Sequence, residues 1–372
     1  MASSRSGNAP SASLDSLAED QYFSAHPTPV DLEKHVAQAQ DFINHQLTAG
    51  RRVVLVTSGG TIAPLEKQMV RFIDNFSAGT RGARSAEHFL EAGYSVIFMH
   101  RQFSLQPFSC RYSHTTDCFL DYLVEGPNGS VVVRKDDSDK MLQVLKKYRE
   151  VREKNMLLFL PFVTVNDYLH LLRAVGRAMQ PLGTDGLLYL AAAVSDFFVP
   201  PSQMSEHKIQ STDHAKPSGA TTTENEEKKG IPDYFTSPEN ITSNKQLTIF
   251  LDAVPKFLAN LVHTWAPRCM IVSFKLETDP DLLLEKSKTA LSRYQHDLVI
   301  GNLLTTRKWE VVFITPDGQE KWIRAPAHKE GETEDRSLDR SKLPDEPAVE
   351  LESLVVPAVI ELHTRHIQQH ST

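Results

Sequence analysis

An α/β protein with a mostly parallel, Rossmann-like sheet covered by helices on both faces is what the sequence predicts, from three observations. Near-continuous apolar runs of strand length recur along the chain. Most are separated by segments of helical periodicity, and the first ends in a glycine-rich turn, Ser58-Gly59-Gly60-Thr61. Strands buried on both faces read as unbroken apolar runs, because crossover helices cover both sides of a parallel sheet.

Taken in order, residues 1–28 are rich in Ser, Ala and Pro and are expected to be a disordered tail. An amphipathic helix is expected over 29–47, with Leu32, Val36, Phe42 and Ile43 available for packing. Strands are expected at 53–56, 96–99, 157–162, 187–193, 247–251, 270–274 and 297–301. Helices are expected at 167–179, where Tyr168, Leu172, Val175 and Met179 share a face, at 281–294, and from Pro255 to near Trp265. A hairpin should join 309–314 to 321–324 through Pro316-Asp317-Gly318. Residues 29–325 then form one α/β domain, decorated by an accessory excursion at 101–156 and a polar, disordered insertion at 211–246. An acidic linker at 326–350 and a C-terminal helix within 351–372 complete the chain.

Composition excludes several classes. The net charge of −7 over 372 residues leaves no basic stripe for nucleic acid, and the longest apolar runs are too short to span a membrane. Three cysteines without C-x-x-C spacing predict neither a disulfide framework nor a structural zinc site, which fits a reducing cytoplasm. The N-terminus carries no apolar segment of the kind a secretory signal needs.

The chemistry concentrates where apolar runs end. The loop Asn75-Phe76-Ser77-Ala78-Gly79 opens a helix through Ala83, Ala86, Phe89 and Leu90, stopped at Gly93, so free backbone N–H groups point into the loop as a phosphate site. The glycines do not read G-x-G-x-x-G, and the second strand ends in His100-Arg101 where a ribose-binding acid is expected, so a nicotinamide-dependent reductase is disfavoured. Asp196 follows the 187–193 run and is read either as an N-cap of a following helix or as a ligand contact, with Ala191, Ala192 and Ala193 leaving room beside it. No nucleophilic Cys or Ser–His pair is evident.

The loop wording from Val53 to Gly82 resembles the phosphopantothenoylcysteine synthetases, in their monofunctional eukaryotic branch. The resemblance continues in family order through residues 189–197, Glu206-His-Lys-Ile-Gln210, 273–280 and Gly301-Asn302, covering roughly residues 50 to 315. It implies a ligase of coenzyme A biosynthesis that joins 4'-phosphopantothenate to cysteine through an acyl-adenylate. In that family, Asn75 is expected to hold the substrate carboxylate, and Ala192, Ala193 and Asp196 to surround phosphopantothenate. Arg71 is expected to bind its phosphate from the neighbouring subunit of a homodimer. Gly59, Ser77, Gly79 and Gly82 would cradle the nucleotide phosphates, and Phe274 and Asn302 the base and ribose. Lys208, on a flap, would neutralise charge at phosphorus. The wording of 273–278 matches the ATP-using branch rather than the CTP-using bacterial one, and Mg2+ is expected with the nucleotide. Ala78 departs from a common second serine, and the loop from Thr61 to Arg71 is longer than in bacterial relatives. Retention of Asn75, Asp196, Lys208 and Asn302 together argues against a scaffold that has lost catalysis.

Overall fold

Six parallel strands and an antiparallel hairpin share one eight-stranded sheet in this computed structural model, which describes residues 19–112, 118–209, 247–326 and 347–370. The sheet strands are β1 (Val53–Ser58), β4 (Ser95–Arg101), β7 (Leu157–Phe162), β8 (Gly186–Leu190), β11 (Met270–Glu277), β12 (Leu298–Leu303), β13 (Glu310–Ile314) and β14 (Glu320–Arg324). Among the described residues three ribbons lie outside it: β2 (Ile62–Pro64) with β3 (Phe72–Asp74), β5 (Leu123–Glu125) with β6 (Val131–Val133), and β9 (Phe197–Phe198) with β10 (Asp252–Ala253). The long helices among the described residues are α1 (Leu32–Thr48), α2 (Thr80–Glu91), α3 (Lys135–Glu153), α4 (Val165–Ala178), α5 (Pro280–Tyr294) and α6 (Glu352–His370).

The sheet order is β7-β4-β1-β8-β11-β12-β13-β14. Numbered along the parallel strands, this is the 3-2-1-4-5-6 order of doubly wound dinucleotide folds, with its switch point between β1 and β8. Successive side chains of β1 divide between the faces: Val53 and Leu55 pack with α1 and α4, Val54 and Val56 with α2 and α6. The expected faces of α2 and α4 are buried, including Ala83, Ala86, Phe89, Tyr168, Leu172 and Val175. The hairpin β13–β14 turns as expected at Gly318, whose φ of +79 suits a residue without a Cβ.

Several expectations change. Residues 19–25 are helical rather than part of a disordered tail, because Glu19 accepts from Asn260 Nδ2 at 2.5 Å and Trp265 Nε1 at 3.2 Å while Tyr22 packs on Phe257 and Phe198. The run at 247–251 is not part of the eight-stranded sheet: Leu247 and Phe250 are exposed, and the named strand nearest it is the two-residue β10 just beyond. The strand expected to reach Ala193 ends at Leu190, after which the backbone turns toward β1. The segment before Trp265 is helical over 258–265, its second half a π-turn. The 211–246 insertion, residues 1–18 of the tail and most of the acidic linker lie outside the described residues. None of the three cysteines is in a disulfide, and no described helix is long and apolar enough to cross a membrane.

Candidate active site

At the carboxyl ends of β1, β8 and β11 a cleft of about 1000 Å³ opens across the switch point. Its position follows from the turn after β1. Gly59 has φ +84, and at Gly60 the carbonyl oxygen of Asn75 lies 1.8 Å from where a Cβ would stand, so only glycine lets the Asn75 loop close over the strand end. Thr61 N donates to Ala193 O at 3.0 Å and Ala193 N to Gly59 O at 2.8 Å, which sews the two strand ends together. Ala192 N and Ser195 N donate to Thr57 Oγ1 and Thr61 Oγ1. These bonds draw the Ala191–Ala193 turn off the ladder and into the cleft.

Asn75 Nδ2 donates to Ala193 O at 3.3 Å, so the residue expected at the substrate carboxylate touches one of those expected around phosphopantothenate. Asn75, Ser77, Gly79, Ala192, Ala193, Asp196, Phe274 and Asn302 all line the cleft. Asp196 caps no helix. It precedes β9, stands largely exposed, and pairs with Lys256 at 3.3 Å. Phe274 stacks edge-on against Tyr189, and Asn302 lies inside β12 rather than after it. Gly79 is the left-handed N-cap of α2, which has no side-chain cap, so its first N–H groups face the loop.

Four residues stand apart. Gly59 and Gly82 lie behind the lining: a Cβ on Gly82 would sit 2.4 Å from Ser58 Oγ, so this glycine lets α2 pack tightly on β1. Arg71 turns to its own chain, pairing with Glu66 at 2.8 Å and donating to Ile209 O at 3.0 Å. Burial works to raise the Glu66 carboxyl, but hydrogen bonds from Ile209 N, Arg71 N and the Arg71 guanidinium outweigh it and hold it below the usual range. Lys208 belongs to a strap, 205–209, laid along this loop through Lys67 N to Ser205 O at 2.9 Å and Lys67 to Glu206 at 2.8 Å.

The cleft also holds cations that sequence reading missed. Arg81 lies over the Phe274 ring at 5.6 Å and pairs with Glu352 at 3.4 Å; Arg111 pairs with Glu350 at 2.6 Å and Arg84 with the same carboxylate at 3.6 Å. Arg81 and Arg84, three apart just after Gly79, carried a helix-face signal, whereas Arg111 lies beyond any local pattern. His88, whose Nε2 stands 3.8 Å away, then Arg111 and Arg84, pull the Glu350 carboxyl down to about 2. Cys110 also lines the cleft, but burial and the adjacent Glu87 push its thiol up to about 12, and it donates to Glu87 instead of serving as a nucleophile. A Ser–His contact, absent from the sequence reading, joins Ser273 Oγ to His296 Nε2 at 2.7 Å. Among the described residues no cluster of three His, Cys, Asp or Glu side chains could hold a metal ion.

The chain is similar to known proteins over most of its length. Residues 48–115 match the family model described as DNA/pantothenate metabolism flavoprotein C-terminal domain. The chain is 42% identical over 358 residues to the phosphopantothenate–cysteine ligase CAB2 of Saccharomyces cerevisiae, covering 95% of this chain and 88% of that protein. It is 42% identical over 279 residues to the phosphopantothenate–cysteine ligase of Homo sapiens, covering 74% and 79%. A solved structure of a Cab2 mutant in complex with phosphopantothenate-cysteine superposes with a TM-score of 0.77 at 41% identity, over 95% of this chain and 100% of that one. With relatives of this identity over most of its length, the chain belongs to the phosphopantothenate–cysteine ligase family.

Proposed function

We propose that the protein joins 4'-phosphopantothenate to cysteine at the expense of ATP, releasing AMP and pyrophosphate. The observation that carries the reading is the Asn75–Ala193 contact, which brings the residue expected to hold the substrate carboxylate against a residue expected to surround phosphopantothenate, in the same cleft as the start of α2. A carboxylate is a very poor acyl donor, so it must be activated first. Its oxygen attacks the α-phosphorus of ATP, and pyrophosphate departs. The cysteine amine then attacks the acyl carbon, loses a proton, and expels AMP.

This chain's contribution is positioning and charge. Asn75 presents an amide to the carboxylate. Ala192 and Ala193 leave space for the pantothenate chain, and Asp196 accepts from its hydroxyl or amide. The N–H groups at the start of α2, with Gly79 and Ser77, receive the phosphates, backed by Arg81 and Arg84; Gly59 shapes the turn after β1, and Gly82 lets α2 pack close to it. Phe274 and Asn302 hold the nucleoside. Lys208 swings with its strap to the α-phosphorus, and Arg71 exchanges Glu66 for the phosphate of a substrate bound to the other subunit of a homodimer. Magnesium arrives with the nucleotide, because the acids lining the cleft, Asp196, Glu350 and Glu352, are paired with cations. Three thiols outside any disulfide support a reducing, cytoplasmic setting.

Incubation with phosphopantothenate, cysteine and each of ATP and CTP, followed by mass spectrometry, tests the proposal. Phosphopantothenoylcysteine with AMP is expected, faster with ATP. Absence of the amide with both nucleotides would refute the ligase reading, and faster turnover of CTP would refute the nucleotide assignment.

A further inference from the structure

The Ser273–His296 pair has no part in the chemistry above. Ser273 lines the cleft, while His296 is 1% exposed and its Nδ1 has no hydrogen-bond partner. Orphaned N–H groups in protein interiors are rarer than orphaned acceptors, so the ring proton belongs on Nε2, where it donates to Ser273 Oγ at 2.7 Å. The opposite tautomer would bury an unpaired Nδ1–H. Burial lowers the imidazole to about 4, so the ring is neutral at physiological pH. A hydroxyl that accepts from an imidazole is not activated as a nucleophile. Its own O–H is then left to donate to a group other than the ring, and Ser273 lines the cleft.

The surroundings say what that donor can hold. Ser273 pairs with Leu190 and Leu190 with Thr57, so all three share the sheet face that leads to the Ala191–Ala193 turn. On this face Leu169, Leu172 and Leu261 form an apolar wall. Lys275, two residues beyond Ser273 on the same face, brings an ammonium that pairs with Glu277 at 3.4 Å. One directed hydroxyl and one ammonium beside a small apolar wall suit an amino acid with a short, weakly polar side chain. Its carboxylate would meet Ser273 and Lys275, its side chain the leucines, and its amine the strand end where Asn75 holds the acyl group.

We propose that Ser273, oriented by His296, anchors the α-carboxylate of the cysteine co-substrate, with His296 as the positioning residue. The proposal rests on the ligase reading and is separable from it by half-reaction. In Ser273→Ala, loss of a hydrogen bond to a charged group should raise the KM for cysteine by about tenfold or more, while the single-turnover burst of pyrophosphate without cysteine stays within about twofold of wild type. His296→Gln, which keeps an N–H donor, should remain near wild type, whereas His296→Leu should reproduce the cysteine defect. An unchanged KM for cysteine in Ser273→Ala, or an equal loss in the cysteine-free burst, overturns the assignment. A wild-type protein that gives no burst overturns the ligase reading itself.

Discussion

Exchanging one atom group of Asn75 separates positioning from charge. Asn75→Asp replaces the N–H that meets Ala193 O with a carboxylate facing both that carbonyl and the incoming substrate carboxylate. Like charges about 4 Å apart in a half-buried site cost roughly 4 kcal/mol, so pyrophosphate release should fall by about 1000-fold. Single-turnover measurement checks this, and release near the wild-type rate would remove Asn75 from the first step. Gly82 tests packing instead. Gly82→Ala puts a methyl 2.4 Å from Ser58 Oγ and 2.5 Å from its Cβ, so α2 must lift from β1. We expect a loss of about 1–3 kcal/mol in denaturant unfolding, together with weakened nucleotide binding. The family resemblance, not local pattern, assigned the Asn75 loop and the Ala191–Asp196 segment to one substrate, since the first opens a helix and the second follows an apolar run. The sequence could not show that Arg71 rests on Glu66, that Arg111 reaches Glu350, or that Ser273 meets His296, since each contact depends on how loops return to the sheet.

Elements buried on both faces were the legible ones. β1, β4, β7, β11 and β12 fall where unbroken apolar runs predicted them, and α2 and α4 bury the expected stripes. The run at 247–251 has the same composition but exposed side chains, which no local pattern reveals. Nor does local pattern show that Glu350, counted with the acidic linker, is docked. Its carboxylate ties α2, through Arg84 and His88, to Arg111 and to the start of α6. Because His88, Arg111 and Arg84 pull the Glu350 carboxyl from 4.5 down to about 2, its contribution is in place above pH 4.5 while His88, whose own pKa is raised above 6.5, stays protonated, and it disappears as pH falls through about 2. Glu350→Gln should therefore destabilise the protein by about 1–3 kcal/mol at neutral pH, after allowance for partial solvent screening, and by progressively less as the pH drops toward that value. Urea unfolding across that range is the check; a difference independent of pH would mean that the charge is not what holds the segment.

At the scale of the whole molecule, Met69, Val70, Phe72, Ile73 and the 92% exposed Phe76 leave an apolar surface on and beside the β2–β3 ribbon, next to Arg71. Such a surface supports the proposed dimer, with Arg71 crossing to the other site. Mixing inactive Arg71→Ala and Asn75→Asp proteins under subunit exchange should restore about a quarter of wild-type activity, because each mixed dimer then has one intact site. No recovery would place Arg71 in its own subunit's site. The doubly wound order itself is legible only in part from sequence: alternating strands and helices imply a parallel sheet, but the switch between β1 and β8 is a property of the assembled chain. The proposed activation of a carboxylate at phosphorus takes place at that switch point, and isotopic labelling tests it most directly. With phosphopantothenate labelled in both carboxylate oxygens, one labelled oxygen should appear in AMP and the other remain in the amide product. Label in inorganic phosphate, accompanied by ADP, would contradict the acyl-adenylate route.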